Sequence, residues 1–336
     1  MSEQAYNSII VLGPTAVGKT ALAVRIADTF NGEIISADSR QVYRHLDIGS
    51  GKDICEFTLD NPERTIPYHL IDVVSLPDEY SVFNYQQEFY QVFPEIISRN
   101  KVPVVCGGTG MYLDAVVRGY KMNSVPCNAE LRKKLQGKSV EELASILTEM
   151  KNGKLHNTTD ILEHHRLLRA IEIETYNQEH PENAECSELP PETFNRPDIR
   201  PFIIGTTFPR EKLRSGIKKR LSARFEEGMI DEVASIHASG VSFERLERLG
   251  LEYKFISWYL QKKLSSFDEL YDKLYIAIGQ FAKRQETWFR HMEKQGVKIN
   301  WLSCDGSEKS FTVESRLEEA SRLLCANGFT KTPSGK

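Results

Sequence analysis

Short apolar runs alternate with longer stretches of helical period through the N-terminal third of the chain. Ser8-Ile-Ile-Val-Leu12 has the continuous apolar character of a strand buried on both faces. A glycine-bounded loop separates it from Ala21-Leu-Ala-Val-Arg-Ile-Ala27, which Asn31-Gly32 closes as a helix. Glu33-Ile-Ile-Ser-Ala37, His69-Leu-Ile-Asp-Val-Val74 and Val102-Pro-Val-Val-Cys106 read as further strands, and the segment from Val82 to Arg99 has helical period. Strands alternating with helices predict an α/β fold whose parallel sheet is covered on both faces.

From Asn128 to Asn177 the chain turns helical and polar. Gln178 to Pro197 then holds Glu179, Glu182, Glu185, Glu188 and Glu192 among internal prolines, the composition of a solvated linker. Arg200-Pro-Phe-Ile-Ile-Gly205 predicts a return to the sheet. Helical pattern follows through His291, and Val297-Lys-Ile-Asn-Trp301 is a last strand candidate. A sheet interrupted in this way predicts a core carrying a helical insertion. Residues 1–124 form the first part of the core and 125–197 the insertion with its acidic linker. Residues 198–316 form a mostly helical second part, and 317–336 a C-terminal tail.

Composition narrows the class. The 336 residues carry Lys+Arg 43 against Asp+Glu 47, a formal net charge of −4, with 40% hydrophobic and 27% charged residues. That balance suits a globular enzyme and excludes disordered and collagen-like chains. No apolar run approaches the ~20 residues of a membrane span, and Met1 to Asn7 lacks a signal-peptide core. Cys55, Cys106, Cys127, Cys186, Cys304 and Cys325 are scattered, with no C-x-x-C pair and no zinc-ligand spacing. Reduced thiols in a cytoplasmic protein are expected, with no membrane partner and a monomer favoured. Mild acidity argues against indiscriminate nucleic-acid coating but leaves room for a local basic groove.

The first strand runs into Gly13-Pro14-Thr15-Ala16-Val17-Gly18-Lys19-Thr20, a full G-x-x-x-x-G-K-[ST] match between strand and helix. Glycines let backbone N–H groups turn inward on a polyphosphate, and the helix N-terminus adds a favourable dipole. Lys19 neutralises phosphate oxygens, and the Thr20 hydroxyl can ligate Mg²⁺. Kinases, nucleotide-driven motors and transferases with a diphosphate leaving group all use such a loop. Phosphohydrolases usually add an aspartate ending a neighbouring strand; here Val102–Cys106 ends in Gly107-Gly108-Thr109-Gly110 instead. The second strand ends in Asp38, where the crevice of a parallel sheet lies. That carboxylate suits a general base, a water-mediated Mg²⁺ ligand or a plain helix cap.

Five segments in order resemble the tRNA dimethylallyltransferase (IPP transferase) family. They are Gly13–Thr20, Ser36-Ala-Asp-Ser-Arg-Gln-Val-Tyr-Arg-His-Leu-Asp-Ile-Gly49, Tyr68-His69-Leu-Ile-Asp72, Gly107-Gly-Thr-Gly-Met-Tyr-Leu113 and Phe281-Ala-Lys-Arg-Gln-Glu-Thr-Trp-Phe-Arg290. The resemblance implies a P-loop α/β core. It also implies transfer of a dimethylallyl group from dimethylallyl diphosphate to the N6 amine of the adenosine 3′-adjacent to the anticodon of tRNA. Asp38 is then the base, Thr109 orients the site, Thr20 touches Mg²⁺, and His69 and Arg220 stand near the diphosphate. Asp38, Ser39, Arg40, Gln41, Thr109, Arg132, His165, Arg166, Lys283, Arg284 and Gln285 are implied along the path of the anticodon stem-loop.

Local charge agrees with an RNA partner. Arg210, Lys212, Arg214, Lys218, Lys219, Arg220 and Arg224 stand against Glu211 alone, and Lys283, Arg284 and Arg290 neighbour Trp288 and Phe289. A solvated helix face and a core pair of aromatics are the plainer readings of the same residues. Departures from the family pattern fall mostly on the RNA side. Ser50-Gly51-Lys52-Asp53 replaces Thr-Ala-Lys-Pro, His165 replaces a glutamine, Leu251-Glu252 replaces a tyrosine and a basic residue, and Ile278-Gly279 replaces Thr-Arg. Two other readings follow: a P-loop nucleoside or nucleotide kinase, and a non-catalytic tRNA-binding paralogue.

Overall fold

The computed structural model describes residues 5–60, 63–122, 124–153, 164–180, 196–304 and 306–332, which divide into two compact units. The first unit comprises residues 1–120 and 197–336, the second Lys121–Arg196.

The first unit is built on β1 (Ser8–Leu12), every residue of which is buried. It leads through the glycine-bounded loop into α1 (Lys19–Thr29) and β2 (Gly32–Ala37). A short hairpin, β3 (Thr58–Asp60) and β4 (Glu63–Thr65), precedes β5 (Tyr68–His69). Then come α2 (Val82–Ser98), β6 (Val102–Gly107) and α3 (Gly110–Arg118).

The second unit holds α4 (Ala129–Leu135), α5 (Val140–Met150) and α6 (His164–Glu179). They close on Leu135, Leu143, Leu147, Leu167 and Ile171. A reciprocal cap between Ser139 and Glu142 starts α5. Most of the expected acidic linker, residues 181–195, lies outside the described residues, and Gln178 and Glu179 still belong to α6.

The chain re-enters the first unit as β7 (Pro201–Gly205). Five helices follow: α7 (Arg210–Glu226), α8 (Met229–Ala238), α9 (Phe243–Glu247), α10 (Leu251–Leu260) and α11 (Phe267–Lys294). β8 (Asn300–Trp301) and α12 (Val313–Ala326) complete it.

The main sheet has six strands in the order β5-β2-β6-β1-β7-β8, all parallel. Strand alternation sends Ile9 and Val11 to one face, against α1 and Ala320 and Leu324 of α12. Ile10 and Leu12 meet the other, with Phe89 of α2, Leu113 of α3 and Phe289 of α11. Helices α7 to α11 form a separate apolar cluster around Leu221, Val233, Tyr253 and Leu274. Because the strands are parallel, the loops after β1, β2 and β6 gather at one sheet edge, and the site forms there.

Three sequence expectations are corrected. His69–Val74 is no continuous strand: Leu70 and Asp72 take left-handed backbone conformations (φ 60° and 57°), so pairing with β2 stops at His69 and resumes as a single bridge from Val74 to Tyr43. The strand expected at Val297–Trp301 shrinks to Asn300–Trp301. Residues 317–326 are not a tail but belong to α12, whose Ala320 and Leu324 are fully buried.

Candidate active site: a phosphate loop beside an aspartate

Two glycines give the phosphate loop its shape. A side chain at Gly13 would collide with the Thr206 carbonyl, and Gly18 has φ 66°, open to glycine at no steric cost. The loop is fastened from outside. Thr15 N–H donates to Gln285 Oε1 at 2.8 Å, and Arg316 Nη1 donates to the Val17 carbonyl at 2.5 Å. Lys19 Nζ donates to the Pro14 carbonyl at 2.7 Å. No side chain caps the start of α1, and its first turn carries no acid. Its leading N–H groups and dipole are thus available to an anion.

Two cations face that opening. Arg220 of α7 reaches across to donate from Nη1 to Thr15 Oγ1 at 3.3 Å, with its guanidinium against Gly51. Burial, with Arg220 adding repulsion, lowers the Lys19 ammonium to about 8. A bound polyanion would relieve both effects. Beneath the loop, burial pushes the Cys106 thiol, hydrogen-bonded to Thr20, up to about 12. It stays a neutral core thiol.

Asp38 follows β2. Arg40 N–H donates to Asp38 Oδ1 at 2.9 Å, closing a tight turn that orients the carboxylate. Thr109 ties this turn to the end of β6: its Oγ1 accepts from Ser39 N–H at 3.0 Å, and its N–H donates to the Ala37 carbonyl at 3.2 Å. Gln41 Oε1 accepts from Ser36 Oγ at 2.9 Å, and its Nε2 donates to the Gly51 carbonyl at 3.2 Å. Gln285 Nε2 donates to the Gly108 carbonyl at 2.9 Å. One buried amide of α11 therefore joins the phosphate loop to the Gly107–Gly110 turn.

The segment after Leu46 forms a wall of the cleft, fixed by charge. Glu232 of α8 accepts the N–H groups of Asp47, Ile48 and Gly49 at 2.9, 2.6 and 3.0 Å, and the Tyr253 hydroxyl at 2.9 Å. Lys52, buried, is held by Tyr43 O, Asp47 and Asp72. Arg224 pairs with Asp53. Farther on, Glu56 is raised by burial and by Asp53, while Arg220, Arg224 and Lys19 pull it back. Sequence reading missed Glu56, because nothing near it in the chain marks it as a neighbour of Lys19. Glu252, on the first turn of α10, is also raised, chiefly by burial, with Arg220 and Arg40 opposing and Asp38 adding to the rise. It shares the cleft with these groups instead of standing on an outer RNA face. Ile278, also expected toward RNA, is core.

His69 is held by a carboxylate of the neighbouring strand. His69 Nε2 is 2.7 Å from Glu33 Oε2, and Arg99 grips the same carboxylate at 3.1 and 2.7 Å. Glu33 precedes Ala37 by four residues, ~13 Å along a strand. His69 itself pairs with Ile35, two residues before Ala37, and its ring turns back to Glu33. Within the second unit, Arg132 makes a two-point pair with buried Glu172 at 2.6 and 2.9 Å, and His165 and Arg166 are exposed on α6. Lys283 and Arg284 are exposed on α11, Gln285 is buried, Phe289 is core and Trp288 packs on Gly110.

Comparison with known proteins identifies a family. The family described as IPP transferase matches residues 41–292, and the one described as isopentenyl transferase matches residues 6–65. The tRNA dimethylallyltransferase 2 of Treponema denticola is 52% identical over 297 residues, 88% of this chain and 96% of its own length. The tRNA dimethylallyltransferase 1 of Syntrophus aciditrophicus is 48% identical over 302 residues, covering 90% of this chain and 95% of its own. The crystal structure of the tRNA isopentenylpyrophosphate transferase of Bacillus halodurans superposes with a TM-score of 0.61 at 28% identity, covering 95% of this chain and 99% of that one. With a family match over most of its length and relatives near half-identical across nine-tenths of it, the chain belongs to the tRNA dimethylallyltransferase (IPP transferase) family.

Proposed function

We propose that this chain transfers the dimethylallyl group of dimethylallyl diphosphate to the N6 amine of the adenosine 3′-adjacent to the anticodon of tRNA, releasing diphosphate. The observation that carries this reading is Asp38 fixed beside a phosphate loop that carries Lys19 and is reached by Arg220. A kinase or a silent tRNA-binding paralogue gains no support from the family match.

The loop N–H groups, Lys19 and Arg220 bind the diphosphate and stabilise the charge that grows on it as the C1–O bond breaks. The N6 lone pair forms the new bond to C1, and the amine proton passes to Asp38. The adenine amine is a weak nucleophile, so positioning supplies much of the rate. Thr109 holds the Ser39 amide and with it the Asp38 turn, so its part is orientation. The base must leave its stack to reach Asp38, which costs less in a loop than in a duplex.

Mg²⁺ fits the donor set. The Thr20 hydroxyl and the desolvated Glu56 carboxylate are hard oxygen ligands near Lys19. Among the described residues no cluster of three or more His, Cys, Asp or Glu forms a ready cage. Thr20 and Glu56 are the residues that would hold the ion. When bound, it neutralises charge on the departing diphosphate. Among the described residues no helix is long and apolar enough to cross a membrane, and a tRNA acceptor supports the cytoplasm as the reading for the compartment.

The test is incubation of the purified protein with unmodified tRNA, dimethylallyl diphosphate and Mg²⁺, followed by nucleoside mass analysis. N6-dimethylallyladenosine is expected. Its absence, with a phosphorylated nucleoside from ATP, would replace this reading by the kinase.

A further inference from the structure

Arg316 stands on α12, 299 residues from the loop it touches, and its side chain is buried. Its Nε donates to the Thr312 carbonyl at 3.2 Å, and its Nη1 donates to the Val17 carbonyl at 2.5 Å and to Thr206 Oγ1 at 3.3 Å. The Phe208 ring lies 5.1 Å from Cζ. Its Nη2 lies 3.2 Å from where a Cβ on Gly18 would stand. The guanidinium is thus held through Nε, Nη1 and the Phe208 ring and directed at one peptide, Val17–Gly18.

A trans peptide is planar, with C=O and N–H pointing opposite ways. Holding the Val17 carbonyl on Arg316 therefore turns the Gly18 N–H away from Arg316. We propose that Arg316 is a positioning residue for the donor: by holding the Val17 carbonyl it fixes the Gly18 N–H toward the diphosphate. A cation on the carbonyl also polarises the peptide and strengthens its N–H as a donor. Were the peptide to flip, a carbonyl would face the anion in place of an N–H. α12 is already docked by Ala320 and Leu324 in the core, so its attachment does not depend on this one side chain. The proposal rests on the reading of the loop as the diphosphate site.

Two variants and one measurement on the unaltered protein test it. Arg316→Gln is expected to weaken binding of inorganic diphosphate, read by calorimetry with Mg²⁺, by about tenfold, the scale of one lost hydrogen bond to a charged group. Donor KM should rise by a similar factor at unchanged tRNA affinity. Arg316→Lys should recover part of the loss, keeping the charge with poorer geometry. A purely structural role would instead lower the melting temperature and the active fraction at unchanged diphosphate Kd and donor KM, which overturns the proposal. Val17-Gly18 is the single Val-Gly step in the sequence, so carbonyl-¹³C valine with ¹⁵N glycine isolates the Gly18 amide by NMR without any substitution. Its proton signal should move downfield on adding inorganic diphosphate and Mg²⁺. A still signal in protein that calorimetry shows to be loaded overturns the proposal. Failure of the unaltered protein to bind diphosphate at all overturns the donor-site reading beneath it.

Discussion

The phosphate loop is held by side chains that arrive from 205, 270 and 299 residues away, namely Arg220, Gln285 and Arg316. The exposed basic residues of α11 mostly touch neighbours on their own helix. Arg284 stacks on Phe281, and Arg290 reaches Glu286 one turn back at 3.8 Å. The two regions therefore differ in kind. Donor-side groups act through fixed geometry, so each loss should appear in rate or donor affinity. Basic groups on an open surface act through summed charge, so each should appear in salt-dependent RNA affinity.

Asp38→Asn gives the largest expected effect, because it removes the base while keeping the turn's shape. Single-turnover transfer at saturation should fall by at least ~10²-fold, with tRNA affinity changed less than about twofold. A normal rate at saturation combined with lost affinity would move Asp38 to the RNA side. Lys19→Ala should lower kcat/KM for the donor by ~10²–10³-fold, on the scale of losing one charged stabiliser of the leaving group. Isotherms for tRNA should superpose on those of the unaltered protein. If they weaken together with the donor, the two regions are not separable.

Gln285 tests where the boundary runs. The family resemblance assigns it to the RNA path, yet its amide is 7% exposed and spends one hydrogen bond on Thr15 and one on Gly108. Gln285→Leu leaves both groups unpaired, at about 1–3 kcal/mol each. Donor KM should rise about tenfold and the melting temperature should fall, with an unchanged salt slope for tRNA. A shallower slope would return Gln285 to the RNA side.

Legibility followed the range of the interactions. The loop from Gly13 to Thr20 reads directly because its chemistry is contained in eight consecutive residues between a strand and a helix. Asp38 was legible from its place at a strand end. The anchors were not: an amide at 285 and a guanidinium at 316 carry no mark of the peptide they will hold. The partners of His69 were hidden for a related reason. The motif gives its neighbours in sequence, whereas its role follows from Glu33 and Arg99, which meet it through strand pairing and the end of α2. The broken strand after His69 was equally hidden, since apolar residues can pack in left-handed turns as well as in strands.

pH separates the regions at smaller scale. Lys19 titrates at about 8 in the free protein, and a bound anion raises it. Donor Kd should be flat below pH 8 and rise above it toward tenfold per unit, because binding must then take up a proton. That rise belongs to donor binding through Lys19, so tRNA affinity at fixed salt should be level from pH 7 to 9. Parallel curves for donor and tRNA would mean that one titrating group serves both.

The smallest effect is expected on the open surface, at Gly279. It lies one turn before Lys283 on the exposed side of α11, next to buried Ile278, and a Cβ built there meets nothing within 4 Å. An arginine therefore fits without moving a neighbour and extends the Lys283–Arg284 charge by one turn. Gly279→Arg should tighten tRNA binding severalfold at low salt and steepen the log Kd against log salt slope by about one unit, the mark of one further phosphate contact. Donor KM and the single-turnover rate should not move. The substitution also replaces glycine in a helix interior, which raises helix stability by about 0.5–1 kcal/mol, so a higher melting temperature alone says nothing about RNA. Gly279→Ala supplies that gain without the charge. If Ala and Arg variants bind tRNA alike with the same salt slope, this face of α11 does not meet the RNA backbone, and the acceptor-side charge must act from α7, where Lys218 and Lys219 are exposed.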